Sequence, residues 1–88
     1  MSTRFVVRTQ ADAGSLVRLL DPFAQRGLSL AAVRADAEDD DLDVVIELPA
    51  LTETVAANIR ARMLNLPSVR SVVVVEGDRA SPDASPTT

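Results

Sequence analysis

The chain has 88 residues, a formal net charge of −4, and neither cysteine nor histidine, which removes disulfides, thiol nucleophiles, imidazole bases and the usual zinc or copper ligands together. Its nine basic residues are all arginine and are scattered along the chain, and two phenylalanines are its whole aromatic complement. With neither a basic stripe for a phosphate backbone nor a platform on which bases could stack, nucleic acid is not an expected partner.

This length suits one domain, and a domain of this size buries only about 60% of its unfolded surface, so self-association would help it. No window of eighteen apolar residues occurs, and the N-terminus runs into a β-like segment without a signal-peptide core. The expectation is a cytoplasmic protein with no membrane partner.

Thr3-Arg-Phe-Val-Val-Arg-Thr9 is short and β-branched. It reads as a strand with Phe5 and Val7 on one face and Arg4, Val6 and Arg8 on the other. A helical period follows at once in Leu16, Leu19, Leu20 and Phe23, and Arg26-Gly27 supplies a cationic last turn and a C′ glycine. Pro22 lacks the N–H for the Arg18 carbonyl, which predicts a kink or a restart with Asp21 as a local cap.

Leu28 to Ala37 and Leu42 to Leu48 are two further β-like segments, joined by Glu38-Asp-Asp-Asp41, a composition that suits an exposed turn. Val44, Ile46 and Leu48 alternate with Val45 and Glu47. Pro49 ends that strand, and Thr52 with Glu53 opens a second helix with apolar positions Val55, Ile59, Met63 and Leu66. Leu66-Pro67-Ser68 closes it. Val69 to Glu76 is a last strand, rich enough in valine to be a central one, and residues 77–88, with two prolines and no apolar period, read as a disordered tail.

The order β-α-β-β-α-β predicts an α+β ferredoxin-like sandwich over residues 1–76, with a four-stranded antiparallel sheet and both helices on one face. Right-handed crossovers place the first and third strands in its middle. The uncovered face then shows Val6 and Val45 among Arg4, Arg8 and Glu47, a mixture suited to pairing, so a homodimer through the sheet is expected.

Candidate chemistry is sparse. Metal carriers on this topology present a cysteine pair in the first loop, where this chain has Ala11-Asp-Ala-Gly14. A phosphate-hydrolysing site resembling acylphosphatase needs an arginine in that loop and an asparagine nearby, whereas Asn58 and Asn65 lie in the second helical segment. The acidic run Asp36, Glu38, Asp39, Asp40, Asp41 and Asp43 lacks the glycine and terminal glutamate of an EF-hand and reads as a solvated turn. Glu53 and Arg60 read as a solvent face. No enzyme activity, cofactor or metal is therefore expected.

The remaining candidate is the stretch Ala11, Asp12, Ala13, Gly14, Ser15 and Leu16 at the mouth of the first helix. Small residues let a ligand approach, and the N–H groups of Gly14, Ser15 and Leu16 could receive the carboxylate of a small amino acid. The plainer reading is that Asp12 caps the helix.

Ala13-Gly14-Ser15-Leu16, Phe23 with Arg26-Gly27-Leu28, Glu38-Asp39 with Asp41-Leu42, and Leu66-Pro67-Ser68-Val69-Arg70-Ser71-Val72 together resemble an ACT domain over about residues 4 to 76. Within that family the chain looks most like the short, single-domain regulatory small subunits of acetolactate synthase. The resemblance implies a dimerising, amino-acid-sensing module that binds a catalytic large subunit and tunes branched-chain amino acid synthesis. ACT loops commonly run acidic residue or asparagine, any residue, proline, glycine; those places here hold Ala11, Asp12, Ala13 and Gly14. The acidic residue is displaced by one and the proline is replaced. The resemblance therefore implies a ligand site with a weakened hold on an ammonium group.

Overall fold

The structure, a computed structural model, describes residues 2–76. The expected tail at 77–88 lies outside the described residues. The elements are β1 (Ser2–Gln10), α1 (Ala13–Gln25), β2 (Ala32–Glu38), β3 (Asp41–Pro49), α2 (Glu53–Leu64) and β4 (Val69–Glu76). They form one four-stranded antiparallel sheet in the order β2-β3-β1-β4, with both helices against one face.

Alternation in β1 and β3 builds that face. Phe5 and Val7 from β1 and Val44, Ile46 and Leu48 from β3 are buried, and Leu19, Phe23, Ala56, Ile59 and Met63 close over them from the helices. The Phe5 and Phe23 rings meet edge to face at 5.2 Å, the arrangement their quadrupoles favour. Thr3 and Thr9 share the buried face at the two ends of β1 and serve as polar anchors. Thr3 Oγ1 accepts the Leu51 N–H at 2.9 Å, and Thr9 Oγ1 donates to the Ser68 carbonyl at 2.9 Å. Each ties the strand to a loop beyond the sheet without leaving a buried hydroxyl unsatisfied.

Several expectations need correction. α1 is one continuous helix through Pro22, with Asp21 in its interior and not at a cap. The proline forfeits a single backbone bond, and its ring is buried on the core side of the helix, where packing offsets that loss. At the other end, Gly27 has φ +67°, and the Leu28 N–H reaches the Phe23 carbonyl while the Gly27 N–H reaches Ala24, both at 3.0 Å. This Schellman turn draws Leu28 onto the core, so β2 starts at Ala32 and not at Leu28.

In α2 the buried positions are Ala56, Ile59 and Met63, with Val55 partly buried; Leu66 lies past the helix end but still packs on the core. β4 is an edge strand, not a central one. α2 carries the chain from β3 across β1, and the far side of β1 is the only neighbouring place left. Val72 is buried there, whereas Val73 is 54% exposed on the uncovered face.

Candidate functional site

The loop between β1 and α1 is held at three points. The Gln10 N–H donates to the Ser68 carbonyl at 3.1 Å and the Ala11 N–H to the Asp40 carbonyl at 3.0 Å, so both neighbouring turns grip it. Asp12 then caps α1, its Oδ1 accepting the Ser15 N–H at 2.9 Å. The Ser15 hydroxyl lies close enough to favour the ionised carboxylate but makes no hydrogen bond of good geometry. The hydroxyl and the N–H of Ser15 together hold the Asp12 carboxyl below its ordinary value.

Beside this loop lies a groove of about 240 Å³, lined by Ala11, Asp12, Ala13, Leu16, Ala35, Ala37 and Leu42. Its floor comes from β2 and β3 and its wall from the first turn of α1. Alanines on β2 leave the space, and Asp12 is the one ionisable residue in the lining. Four of the six expected residues therefore meet at the groove. Gly14 and Ser15 do not line it: Ser15 is buried toward the core, and a Cβ added to Gly14 would meet no atom within 4 Å.

The anion cradle differs from the expected one. The Ser15 N–H is taken by the Asp12 side chain and the Leu16 N–H by the Asp12 carbonyl at 3.3 Å. Of the three N–H groups expected to receive a carboxylate, only that of Gly14 lies outside the cap. The cause is the acidic residue itself, which sits one place later than the family pattern and reaches the N3 position as a capping side chain.

The open face of the sheet presents a second candidate, a depression of about 360 Å³ over Arg4, Ala32, Arg34, Asp36, Asp43, Val45 and Glu47. Its charges are engaged with one another and with the adjoining row. Arg4 meets Glu47 at 3.0 Å, Arg34 meets Asp36 at 3.5 Å, and Arg8 reaches Asp41 at 3.1 Å and Asp43 at 3.4 Å. Arg70 completes this network on Asp41 at 2.9 Å, and Arg70 followed by Arg8 lowers the Asp41 carboxyl below its usual range.

The acidic turn read as solvated thus feeds an ion-pair network across β2, β3, β1 and the start of β4. Arg8 and Arg70 lie 33 and 29 residues from Asp41 in the chain, so this network comes from sheet pairing and has no local sequence signal. Among the described residues, no group of three acidic side chains is placed to hold a metal ion. Arg60 is exposed as expected, and its Nε also reaches the Val72 carbonyl at 3.4 Å. No helix among the described residues is long and apolar enough to cross a membrane.

Comparison with known proteins locates this arrangement. The chain resembles the C-terminal domain of the MgtC protein from Mycobacterium tuberculosis at a TM-score of 0.72 and 15% identity, covering 91% of this chain and 90% of that one. It resembles the ACT domain of GTP pyrophosphokinase from Chlorobium tepidum at 0.73 and 7% identity, covering 85% and 97%. It also resembles the regulatory subunit of aspartate kinase from Thermus thermophilus at 0.64 and 8% identity, covering 85% of this chain and 50% of that one. At these identities the likeness is one of fold. No curated protein matches the chain. The sequence profile of the ACT-like domain matches residues 1–81, and the chain therefore belongs to the ACT-like domain family.

Proposed function

We propose that the chain is a non-catalytic regulatory module, cytoplasmic and homodimeric through its sheet, that acts on an amino-acid biosynthetic enzyme such as acetolactate synthase. The observation that carries this reading is the ACT-like match over residues 1–81. The regulatory setting is supported by a structural neighbour that is itself a regulatory subunit, that of aspartate kinase. The acetolactate synthase assignment rests on the sequence resemblance in the loop, hairpin and last-strand motifs. Its test is direct: the chain is co-expressed with the catalytic subunit of acetolactate synthase from the same organism. A stable complex with altered activity supports the assignment, and free chain beside an unaffected enzyme refutes it.

A second reading, an interaction module on this fold that has lost its small ligand, is favoured by the cap geometry. Two of three candidate N–H donors are consumed by Asp12, and Ala11 has no side-chain partner for an ammonium group. Melting curves with valine, leucine or isoleucine separate the readings, because a ligand at about 100 times its dissociation constant adds about 2.7 kcal/mol. The expected result is no shift below millimolar amino acid. A shift at micromolar valine that Gly14→Asp abolishes would restore the full feedback-sensor reading.

A further inference from the structure

β4 (Val69–Glu76) lies at the far end of the sheet from the loop groove, and among the described strands β1 is its one neighbour. Ladder geometry fixes which of its groups that neighbour leaves over. Glu38 and Asp41 pair across a two-residue turn and so exchange both backbone hydrogen bonds. Alternation from that pair turns Val45 and Glu47 toward β2, turns Phe5 and Val7 toward β3, and bonds Val6 to Val73 and Arg4 to Val75. Val72 and Val74 are left with N–H and C=O groups that point out of the sheet.

Edges of this kind are commonly blunted by charge, proline or a bulge, and Val72 to Val75 is an unbroken run of valine. The blunting group here comes from α2. The Arg60 Nε donates to the Val72 carbonyl at 3.4 Å, beyond the usual N–H···O range of about 2.7–3.2 Å, so a better donor can displace it. Apolar surface flanks the edge on both faces of the sheet. Leu64, one turn along α2 from Arg60, is 41% exposed, and Val73 on the open face is 54% exposed.

We propose that the outer edge of β4 is the docking surface for an extended segment of a partner protein, which pairs antiparallel as a further strand and sets a carboxylate opposite Val72. The segment's N–H replaces the Arg60 guanidinium at the Val72 carbonyl. Cross-strand neighbours share a face, so the side chain opposite Val72 lies on the helix side, where it meets the released guanidinium. A carboxylate answers that charge, and an apolar or cationic residue does not. Apolar residues on either side of it cover Leu64 and Val73.

A second copy of this chain fits less well. It sets Glu76 opposite Val72 only about a twofold axis at Val74, which engages Val72–Glu76 alone and leaves Leu64 uncovered; axes at Val72 or Val73 put a valine there. The edge lies across the sheet from the groove beside α1, so the docking surface stands whether or not that groove keeps a small ligand.

The probe is the peptide Ser-Val-Thr-Val-Glu-Val-Leu-Ser added to the full chain, with a control peptide that carries lysine in place of glutamate. Amide exchange followed by NMR is expected to slow at Val72 and Val74 and to stay unchanged at Ser71 and Val73, whose amides already bond to β1. The glutamate peptide should bind about fivefold or more tightly than the lysine peptide. Arg60→Ala should remove that preference and Arg60→Lys should keep it, with native amide dispersion in both variants. No slowing at millimolar glutamate peptide, or equal affinity of the two peptides for the native chain, would overturn the proposal. Val72 and Val74 amides that become protected without peptide as chain concentration rises would assign the edge to a second copy and overturn the partner reading.

Discussion

β1 and β2 belong to the same sheet and are similar in length, yet they are stabilised in different ways. β1 sits between two strands and beneath the helices, with Thr3, Phe5, Val7 and Thr9 buried and Arg4, Val6 and Arg8 on the other face. β2 has one neighbouring strand and only the open groove beside the first turn of α1 on its helix side, and all its residues are exposed. The first strand is specified by its own alternation and by anchors at each end. The second is held in place by pairing with β3, by the hairpin and by the ion pair of Glu38 with Arg8, which makes it a surface and not a part of the core.

The difference is sharpest under truncation of an apolar side chain. Phe5→Ala removes a fully buried ring in contact with Phe23, and the expected loss is about 3–5 kcal/mol. In a domain whose whole stability is of the order of 5 kcal/mol, that approaches complete unfolding. Val33→Ala at protein concentrations too low for association should change stability by less than about 0.5 kcal/mol. Urea titrations of both variants test the contrast, which would be broken by a large loss at Val33 in the monomer.

The two strands were also unequally legible. The facing of β1 and β3 followed from period-2 alternation, because burial on one side leaves that imprint. β4 misled for the complementary reason. Four consecutive valines mark a strand well, but the topology and not the composition decides whether it has one neighbour or two. The late start of β2 depended on the Schellman turn pulling Leu28 inward, a tertiary contact that the apolar run from Leu28 does not record. At the groove, Ala11, Asp12, Ala13 and Leu16 were readable as a small-residue loop. Ala35, Ala37 and Leu42 reach it only through sheet pairing, and Thr9 with Ser68, which steadies the loop, joins residues far apart in the chain.

The two glycines with a described environment provide a second pair. Gly27 stands at φ +67°, and Gly27→Ala forces a Cβ into the left-handed region for an expected loss of about 1–2 kcal/mol. Gly14 is in the first turn of α1, and an added Cβ there meets nothing within 4 Å. Gly14→Ala should therefore stabilise by about 0.4–1 kcal/mol, mainly by restricting the unfolded chain. Opposite signs in thermal melts are the expected result; a loss at Gly14 would show that this backbone position is under a constraint absent from its free-standing environment.

Acid separates the capped loop and the ion-pair network from the apolar core. Asp12 and Asp41 both titrate below their ordinary values, the first through Ser15 and the second through Arg70 and then Arg8. A carboxylate whose folded value is depressed contributes its stability in full above the unfolded value of about 3.9, and loses it as pH falls through the folded value. Stability should thus be level near neutrality and fall below about pH 4. Asp41→Asn should flatten that fall by removing the titrating group while keeping its size. Urea midpoints at neutral and acid pH check this, and an unchanged acid slope in Asp41→Asn would place the linkage elsewhere.

The smallest effect is expected at the turn that positions β2. Asp39 is the one non-glycine residue among those described with positive φ, at 58°, and it is the first of the two residues linking β2 to β3. Aspartate tolerates this conformation better than most residues, since its short polar side chain can bond locally, but glycine adopts it without the Cβ penalty. Against that gain stands the larger conformational freedom that glycine loses on folding. The two contributions nearly cancel, so Asp39→Gly should stabilise by only a few tenths of a kcal/mol. Because β2 has no core contacts, the whole gain should appear in the hairpin: slower amide exchange at the β2–β3 pairs, with β1 and β4 unaffected. Equal slowing across all four strands would mean that β2 unfolds together with the core and not ahead of it.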